Sequence, residues 1–466
     1  MKLGRVRRIH FVGVGGSGMC GIAEVLLNLG YVVTGSDAHE NDATKRLAAL
    51  GARVVAGHDP ALVHGADVVV LSTAIPESNP ERQEALRLRV PVIPRAEMLG
   101  ELMRMKHSAA VAGSHGKTST TSMIATVLTR CGLDPTIVIG GRLSILGSNA
   151  RLGQSDLLVA EADESDGSFL RLFPTWAVVT GIDREHMNHY GDFERLKDAF
   201  VQFCGKVPFY GAVVACLDDD GVRSILPRLD RRVVTYGLTT QADLRATEIV
   251  GEGFSTTFQV RRGDEAIAPV RLATPGRHQV RNALAALGVA DELGLSLKVA
   301  AAALEDFPGA DRRMHRKGEA NGVLVVDDYG HHPREIQATL RALREAVGER
   351  RIVVLFQPHR YTRLADLFDD FAGSFMDANE VVLADVYPAG ERPIEGATSE
   401  ALAAALAGRG HRHVRAAGPL PDAVKDLVAS LRPGDVALTL GAGNVGRAGE
   451  EILAALGGAP RGNEGK

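Results

Sequence analysis

Between residues 8 and 106, short apolar runs (RIHFVGV, YVVTGSD, ADVVVLS, VPVI) alternate with polar-faced stretches: MCGIAEVLLNLG and helical patterns near 43–50 and 80–88. The apolar runs have strand length, whereas the periodic stretches keep their apolar residues on one helical face. Strands that alternate with helices return to the same sheet edge and pair in parallel, so the pattern predicts a doubly wound parallel sheet.

The rhythm restarts at Ser108, where HSAAVAGSHGKTSTTSMIATVLTRCG reads as strand, glycine turn and helix. DLLVAEAD, WAVVTGID and GAVVACLDDD add strands with acidic residues at their carboxyl ends. From Arg231 to Arg271 the pattern becomes alternating (RRVVTYGL, FSTTFQVRRGDEAIAPVRLA), which predicts an antiparallel insert or edge. The helix HQVRNALAALGVADELG follows, and after FPGADRRMHRKGE a third set of strands appears: GVLVVDDYG, RIVVLF, EVVLADV and DVALTLG. Three α/β domains are therefore expected, with boundaries near residues 107 and 310: residues 1–107, 108–310 and 311–466. The first expectation is a Rossmann-like fold and the second a P-loop mononucleotide-binding α/β fold; the third is a further set of βα units.

Composition removes several function classes. The 466 residues carry 53 Lys and Arg against 57 Asp and Glu, a formal charge of −4, which argues against a polybasic nucleic-acid surface. With 45% hydrophobic residues the chain has ample core and is not disordered. Cys20, Cys131, Cys204 and Cys216 lie far apart without a CxxC pair, which fits reduced thiols rather than a disulfide framework or a cysteine zinc site. No apolar stretch approaches ~18 residues, and the N-terminal run dissolves into glycines, so a cytoplasmic protein without membrane insertion is expected.

Two glycine turns carry candidate chemistry. Gly13, Gly15 and Gly18 match G-x-G-x-x-G after a strand, and Asp37 ends the next strand, the arrangement that places a nucleotide diphosphate on a helix N-terminus. A merely tight turn is the alternative. In Gly113-Ser114-His115-Gly116-Lys117-Thr118 the glycines free N–H groups for phosphate, Lys117 reaches the β/γ oxygens and Thr118 suits Mg²⁺. Val111 stands where the full G-x-x-x-x-G-K-[ST] form has glycine. Glu161 and His186 follow two further strands, and in a parallel sheet both end on the phosphate-loop side, a donor set suited to Mg²⁺ or Mn²⁺. His331-His332 also follows a strand, but adjacent histidines on extended chain point apart, so polar contacts are expected there rather than metal ligation. His359, Arg360 and Arg363 end another strand, where two arginines one turn apart suit a carboxylate or phosphate. A second G-x-G-x-x-G, at Gly441, Gly443 and Gly446, has no acidic partner after it and reads as a tight turn or a scaffold for a substrate loop.

The ordered set GVGGSGM, AGSHGKTSTT, EADESDGSF, REHMNHY, GRHQVRNALAA, DDYGHHP, QPHRYTR and DVYPAGERPI resembles the Mur ligase family over nearly the whole chain. Within the family it is most similar to the member that joins L-alanine to UDP-N-acetylmuramate, with the murein-peptide recycling member as runner-up. The resemblance implies a Rossmann-like fold for the C-terminal domain, and an ATP-dependent amide-forming ligase of peptidoglycan synthesis, working through an acyl phosphate, with ATP and Mg²⁺ (or Mn²⁺) bound. It implies small-molecule partners only, UDP-N-acetylmuramate, L-alanine and ATP, and a monomer or homodimer. By matching motif, Gly15, Gly16, Ser17, Gly18, Asp37, Ser72 and Thr73 would face the UDP substrate. Gly113, Ser114, His115, Gly116, Lys117, Thr118, Ser119, Asn282, Arg313 and Asp328 would hold ATP, and Thr118, Glu161 and His186 the metal. Tyr329, His331, His359 and Arg360 would meet the amino acid, and Lys117, His331, Arg360 and Arg363 would be catalytic.

Sibling ligases carry a carbamylated lysine about fifteen positions after the metal histidine, where this chain has Phe200, Val201 and Gln202, so no carbamate is expected. Two other classes compete. A nicotinamide oxidoreductase would use Gly13, Gly15, Gly18 and Asp37 but leave the phosphate loop idle. A non-catalytic nucleotide switch would need Lys117 but not Glu161, His186, His331 and Arg360 together.

Overall fold

The computed structural model describes residues 3–72, 74–143 and 148–457, without the side chains of Ser17 and residues 140–149. Its strands form three sheets. The first is parallel, in the order β3 (Arg53–Ala56), β2 (Val32–Asp37), β1 (Arg8–Val12), β4 (Val68–Leu71), β5 (Val92–Pro94). The reversal of strand order at β1 opens a crevice at the carboxyl ends of β1 and β4, where the first glycine turn lies.

The second sheet has ten strands. In chain order they are β6 (His107–Ala112), β7 (Thr136–Leu143), β8 (Ser148–Arg151), β9 (Leu157–Glu161), β10 (Trp176–Val179), β11 (Ala212–Cys216), β12 (Val233–Gly237), β13 (Leu244–Glu252), β14 (Ser255–Arg262) and β15 (Glu265–Leu272). Across the sheet they run β15-β14-β13-β12-β11-β10-β6-β9-β7-β8. The expected antiparallel segment is partly corrected: RRVVTYGL forms β12, which pairs in parallel with β11 and β13, so the meander starts one strand later. From β13 to β15, neighbouring strands are joined by two-residue turns at Gly253 (φ 57°) and Gly263 (φ 54°), which are short enough only for antiparallel neighbours. At the other edge, β8 pairs antiparallel with β7, an element the apolar pattern did not announce.

The third sheet runs β16 (His315–Ala320), β17 (Val323–Asp328), β21 (Val436–Leu440), β18 (Ile352–Phe356), β19 (Glu380–Leu383), β20 (Val414–Ala416). Only β16 is antiparallel to its neighbour. The last strand inserts between β17 and β18, so their carboxyl ends flank a switch point.

Two compact units result: residues 1–248, 258–270 and 281–307, and residues 249–257, 271–280 and 308–466. In the first, Ile9, Phe11, Met19 and Ile22 of the first sheet and its helix share one apolar core with Ala110, Val138, Ala150 and Val179 of the second sheet. Helix Ser17–Asn28 packs on β7 and β8, so it is covered on both sides. A second join lies at Gly100, where a Cβ would fall 2.3 Å from the Arg171 carbonyl; only glycine lets helix Arg95–Arg104 approach that closely. Helix starts are locally specified. Asn41 and Thr44 close a capping box at Asp42–Ala49, and Asn79 caps Pro80–Arg87 with proline at the first position.

That second cap delivers Glu81 to a site with no exposure beneath the first sheet. Glu81 accepts from the Ser36 hydroxyl (2.6 Å) and the Asp59 amide (3.0 Å), and its Oε2 lies 3.1 Å from Nε2 of His10, which is equally buried. Burial alone would lift the Glu81 pKa; the bonds from His10 and Ser36 outweigh it and hold the carboxyl below its ordinary range.

Candidate active site

In the first unit the glycine turns follow the strands as expected. Gly13 has φ 81°, and a Cβ on Gly15 would fall 2.5 Å from Asn41 Nδ2 and 2.9 Å from Asp37 Oδ2. The Asp37 carboxylate accepts the Gly15 N–H at 2.8 Å, and the Ser36 carbonyl accepts from Gly13 (2.9 Å) and Val14 (3.0 Å), so the end of β2 grips the turn. Gly16 is exposed and Gly18 opens helix Ser17–Asn28 against the Arg95 guanidinium. Ser72 sits beside Gly13, while Thr73 lies outside the described residues. A cavity of about 240 Å³ borders this end of the sheet, lined by Asp37, His39, Glu40, Thr44 and Lys45 among others.

The phosphate loop joins β6 to helix Lys117–Arg130. Gly113 (φ 138°) and Gly116 (φ 80°) take conformations open to glycine, and a Cβ on Gly113 would meet Thr180 Oγ1 at 2.1 Å. The loop is held by Ser114 N–H to the Gly181 carbonyl (2.9 Å), by Asp183 N–H to the Ser114 hydroxyl (2.9 Å), and by His115 Nε2 beside Asp183 Oδ2 (3.2 Å). Thr118 and Ser119 follow in the first helical turn, and Asn282 Oδ1 lies against Gly116.

Lys117 Nζ donates to the Gly113 carbonyl (2.7 Å) and to Glu164 Oε1 (2.9 Å). Burial would lower the ammonium pKa, but Glu164, with Asp163 and Glu185 behind it, outweighs burial and holds it raised and charged. Burial pushes Glu164 up to about 7 against the pull of Lys117. Glu164 also receives the Tyr190 hydroxyl on its main-chain carbonyl.

Glu164 is the residue the motif reading missed. Glu161 ends β9 as expected, half-buried, and Glu164, Glu185 and His186 form a group able to hold a cation, with ligand atoms within 4.8 Å of one another. His186 Nε2 lies 3.8 Å from Glu164 Oε1 and 3.9 Å from Glu185 Oε2. The second glutamate of EADESD and the glutamate directly before His186 were the available signals. Glu164 Oε2 is buried with no hydrogen-bond partner among the described residues, which suits it to a cation. Of the lysines near the sibling carbamate position, Lys197 bonds Glu194 (2.9 Å) and Lys206 lies over the Phe173 ring.

The second unit gathers a different set beyond the ends of β17, β18, β19 and β21. Tyr329, His331, His359 and Tyr387 form successive ring contacts, with centroids 5.3, 6.2 and 5.4 Å apart, and the last pair is stacked at 9°. Burial drives both imidazoles down, His331 to about 3 and His359 to about 4, so both are neutral at physiological pH. His331 Nδ1 lies 3.2 Å from the Tyr329 carbonyl and 3.3 Å from Glu335. Arg313 stands over the Tyr329 ring and 3.7 Å from Glu335. Asp328 is committed inward, accepting from Met314 N–H and Gly330 N–H (2.8 Å each) and from the Thr339 hydroxyl (3.3 Å), and burial raises its pKa. Arg363 folds back toward His359, whereas the Arg360 side chain is 48% exposed. The second glycine fingerprint is a tight turn: Gly441 (φ 138°) abuts the Gln357 carbonyl, and Gln357 Oε1 accepts the Val445 N–H at 3.2 Å.

Family profiles match the chain in three consecutive pieces: the Mur ligase family catalytic domain at residues 8–107, the Mur ligase middle domain at 111–290, and the Mur ligase glutamate ligase domain at 312–443. The chain belongs to the Mur ligase family. Among its Mur ligase relatives, proteins named UDP-N-acetylmuramate–L-alanine ligase are 54% identical in Geobacter sp. (strain M21), over 97% of this chain and 98% of the relative, and 52% identical in Myxococcus xanthus, over 98% and 96%. The crystal structure of the UDP-N-acetylmuramate-alanine ligase of Thermotoga maritima superposes with a TM-score of 0.80 at 29% identity, covering 96% of this chain and 98% of that one. A murein peptide ligase from Psychrobacter arcticus has a TM-score of 0.70 at 24% identity over 97% and 99% of the two chains, which shows the Mur ligase fold alone. Among the described residues no helix is long and apolar enough to cross a membrane.

Proposed function

We infer that this chain joins L-alanine to the carboxylate of UDP-N-acetylmuramate with ATP, as a cytoplasmic ligase of peptidoglycan synthesis. The observation that carries the chemistry is the phosphate loop whose Lys117 is salt-bridged to Glu164 beside His186 and Glu185. The γ-phosphoryl group passes from ATP to the carboxylate, leaving ADP and an acyl phosphate. The alanine amine then attacks the acyl carbon, phosphate leaves with the C–O bond electrons, the amine loses a proton and an amide remains. Lys117 and the loop N–H groups hold phosphoryl oxygens, with Ser114, His115, Ser119, Thr118 and Asn282 around the nucleotide. Glu164, Glu185 and His186, with Thr118 and Glu161 near the same strand ends, are the residues that would hold Mg²⁺ or Mn²⁺, which when bound neutralises phosphate charge.

Gly15, Gly16, Ser17, Gly18, Asp37, Ser72 and Thr73 are assigned to the UDP substrate, and Arg313 and Asp328 to the nucleotide. Tyr329, His331, His359, Arg360 and Arg363 are assigned to the amino acid and the reacting carboxylate. The domain boundaries belong near residues 107 and 310.

The test is phosphate release with ATP, UDP-N-acetylmuramate and a panel of amino acids and preformed peptides. The ligase reading requires release that depends on both the UDP substrate and L-alanine. Release with a preformed peptide and not with L-alanine would move the chain to the recycling activity, and release without either acceptor would leave only a nucleotidase.

Arg360→Lys and Arg363→Lys separate a carboxylate fork from a solvated face. An ammonium cannot make the planar two-donor contact, and losing one charge-assisted hydrogen bond costs about 1.5–3 kcal/mol. Each variant is expected to weaken L-alanine use about tenfold or more while the KM for ATP stays at the parent value. Parent kinetics with L-alanine in both would return the arginines to the surface.

A further inference from the structure

Arg360 has φ 71° and ψ 133°, a backbone conformation that a residue with a Cβ rarely adopts. Such strain persists only where surrounding contacts over-determine it. Here they come from the segment after β19. The Arg360 N–H donates to the Tyr387 carbonyl (2.9 Å), and the Tyr387 N–H donates to the Pro358 carbonyl (2.8 Å), so one strand-like bridge fixes the backbone on both sides of His359. The ring of Tyr387 then stacks on His359.

Glu391 completes the hold. Its two carboxylate oxygens accept from Thr362, the main-chain N–H at 3.0 Å and the hydroxyl at 2.7 Å, and Oε1 also lies 3.9 Å from Arg360 Nη1. Thr362 is the second residue of helix Tyr361–Asp366, directly after Arg360, so this carboxylate ties down the start of the helix that the strained residue introduces. Partial burial would raise the Glu391 pKa, but the bonds from Thr362 outweigh it and keep the group ionised at neutral pH. Each Glu391 oxygen is thus engaged by a Thr362 donor.

Resting on the amino-acid reading above, we propose that Glu391 is a positioning residue that, with the Tyr387 main chain, holds Arg360 in the strained conformation that presents its guanidinium to the carboxylate of the incoming amino acid. Among the described residues, the half-exposed Arg360 head has only the long contact to Glu391 to give up when an anion arrives. If the clamp is loosened, the backbone relaxes out of the left-handed region and the guanidinium turns away.

The experiment measures KM for L-alanine, ATP and UDP-N-acetylmuramate, and kcat, in the full-length parent, Glu391→Ala and Glu391→Gln. The alanine variant is expected to raise KM for L-alanine at least tenfold, with the other two KM values within twofold of the parent and kcat at saturating alanine within threefold. The glutamine variant keeps an oxygen for Thr362 and should recover part of the loss, and it carries the test alone if the alanine variant does not fold. An unchanged KM for L-alanine in both variants, or an equal rise in all three KM values, overturns the proposal. A parent that releases no phosphate with L-alanine overturns the amino-acid reading and this one with it, whereas a working parent with an unaffected Glu391→Ala overturns this inference alone.

Discussion

Lys117→Ala is expected to lower phosphate release about 10³-fold while UDP-N-acetylmuramate affinity stays within about twofold, because removing one preorganised donor to a developing charge costs about 10²–10³ in turnover. Two effects add here. The variant loses the cation that holds transferring phosphoryl oxygens, and it strands the Glu164 carboxylate, already pushed up to about 7, in a buried site without its ion pair. Protonation of Glu164 would then be favoured, which also removes a donor for a divalent cation. The glycine turn after β1 is built from other residues, so the UDP side should not register the change. Calorimetric titration with UDP-N-acetylmuramate beside the phosphate-release assay checks both halves. Turnover within tenfold of the parent would end the phosphate-loop assignment.

The second large effect is on stability. Glu81→Ala is expected to cost the first unit about 3 kcal/mol or more, because each buried donor left without its acceptor costs about 1–3 kcal/mol. His10, the Ser36 hydroxyl and the Asp59 amide would each lose their acceptor at a place where Glu81 and His10 have no exposure. The single tryptophan, Trp176, is buried in β10 of the same unit, so its fluorescence reports the loss as a lower urea midpoint. The sign of the pH dependence follows from the depressed Glu81 pKa: the parent's extra stability is present at neutral pH and disappears as pH falls through the folded-state value. Glu81→Ala should therefore differ most from the parent near pH 7 and least in acid. A midpoint within 0.2 M of the parent at pH 7 would show that the network carries no net stabilisation.

The sequence pattern located the parallel strands because each is a short, largely apolar run with most residues buried on both faces, as in RIHFV, HSAAVA and IVVLF. It failed at TIVIGGRL and SNAR, where glycine and polar residues interrupt the run and only pairing with β9 and with one another makes strands. RRVVTYGL was misassigned for a related reason: an alternating pattern reports one partly exposed face and not the direction of the neighbour.

The site was legible wherever backbone demands fixed a residue type, as with Gly113 and Gly116. It was not legible where several acids crowd one segment. EADESD contains four carboxylates, and choosing Glu164 over Glu161 to face Lys117 depends on how the chain turns after β9. Glu391 lies 31 positions after Arg360, and no spacing rule links them; only the adjacency of β18 and β19 brings the following segments together.

Helix Ser17–Asn28 lies between its own sheet and the strands β7 and β8, with Met19, Ile22 and Ala23 in the shared core. The first sheet is thus separate by topology but shares its packing with the second sheet. A fragment ended near residue 107 would carry that helix with its second face stripped, an apolar stripe open to water and to self-association. Exchanging the first sheet and its helices between homologous ligases therefore requires moving β7 and β8 with them, or matching their packing surface.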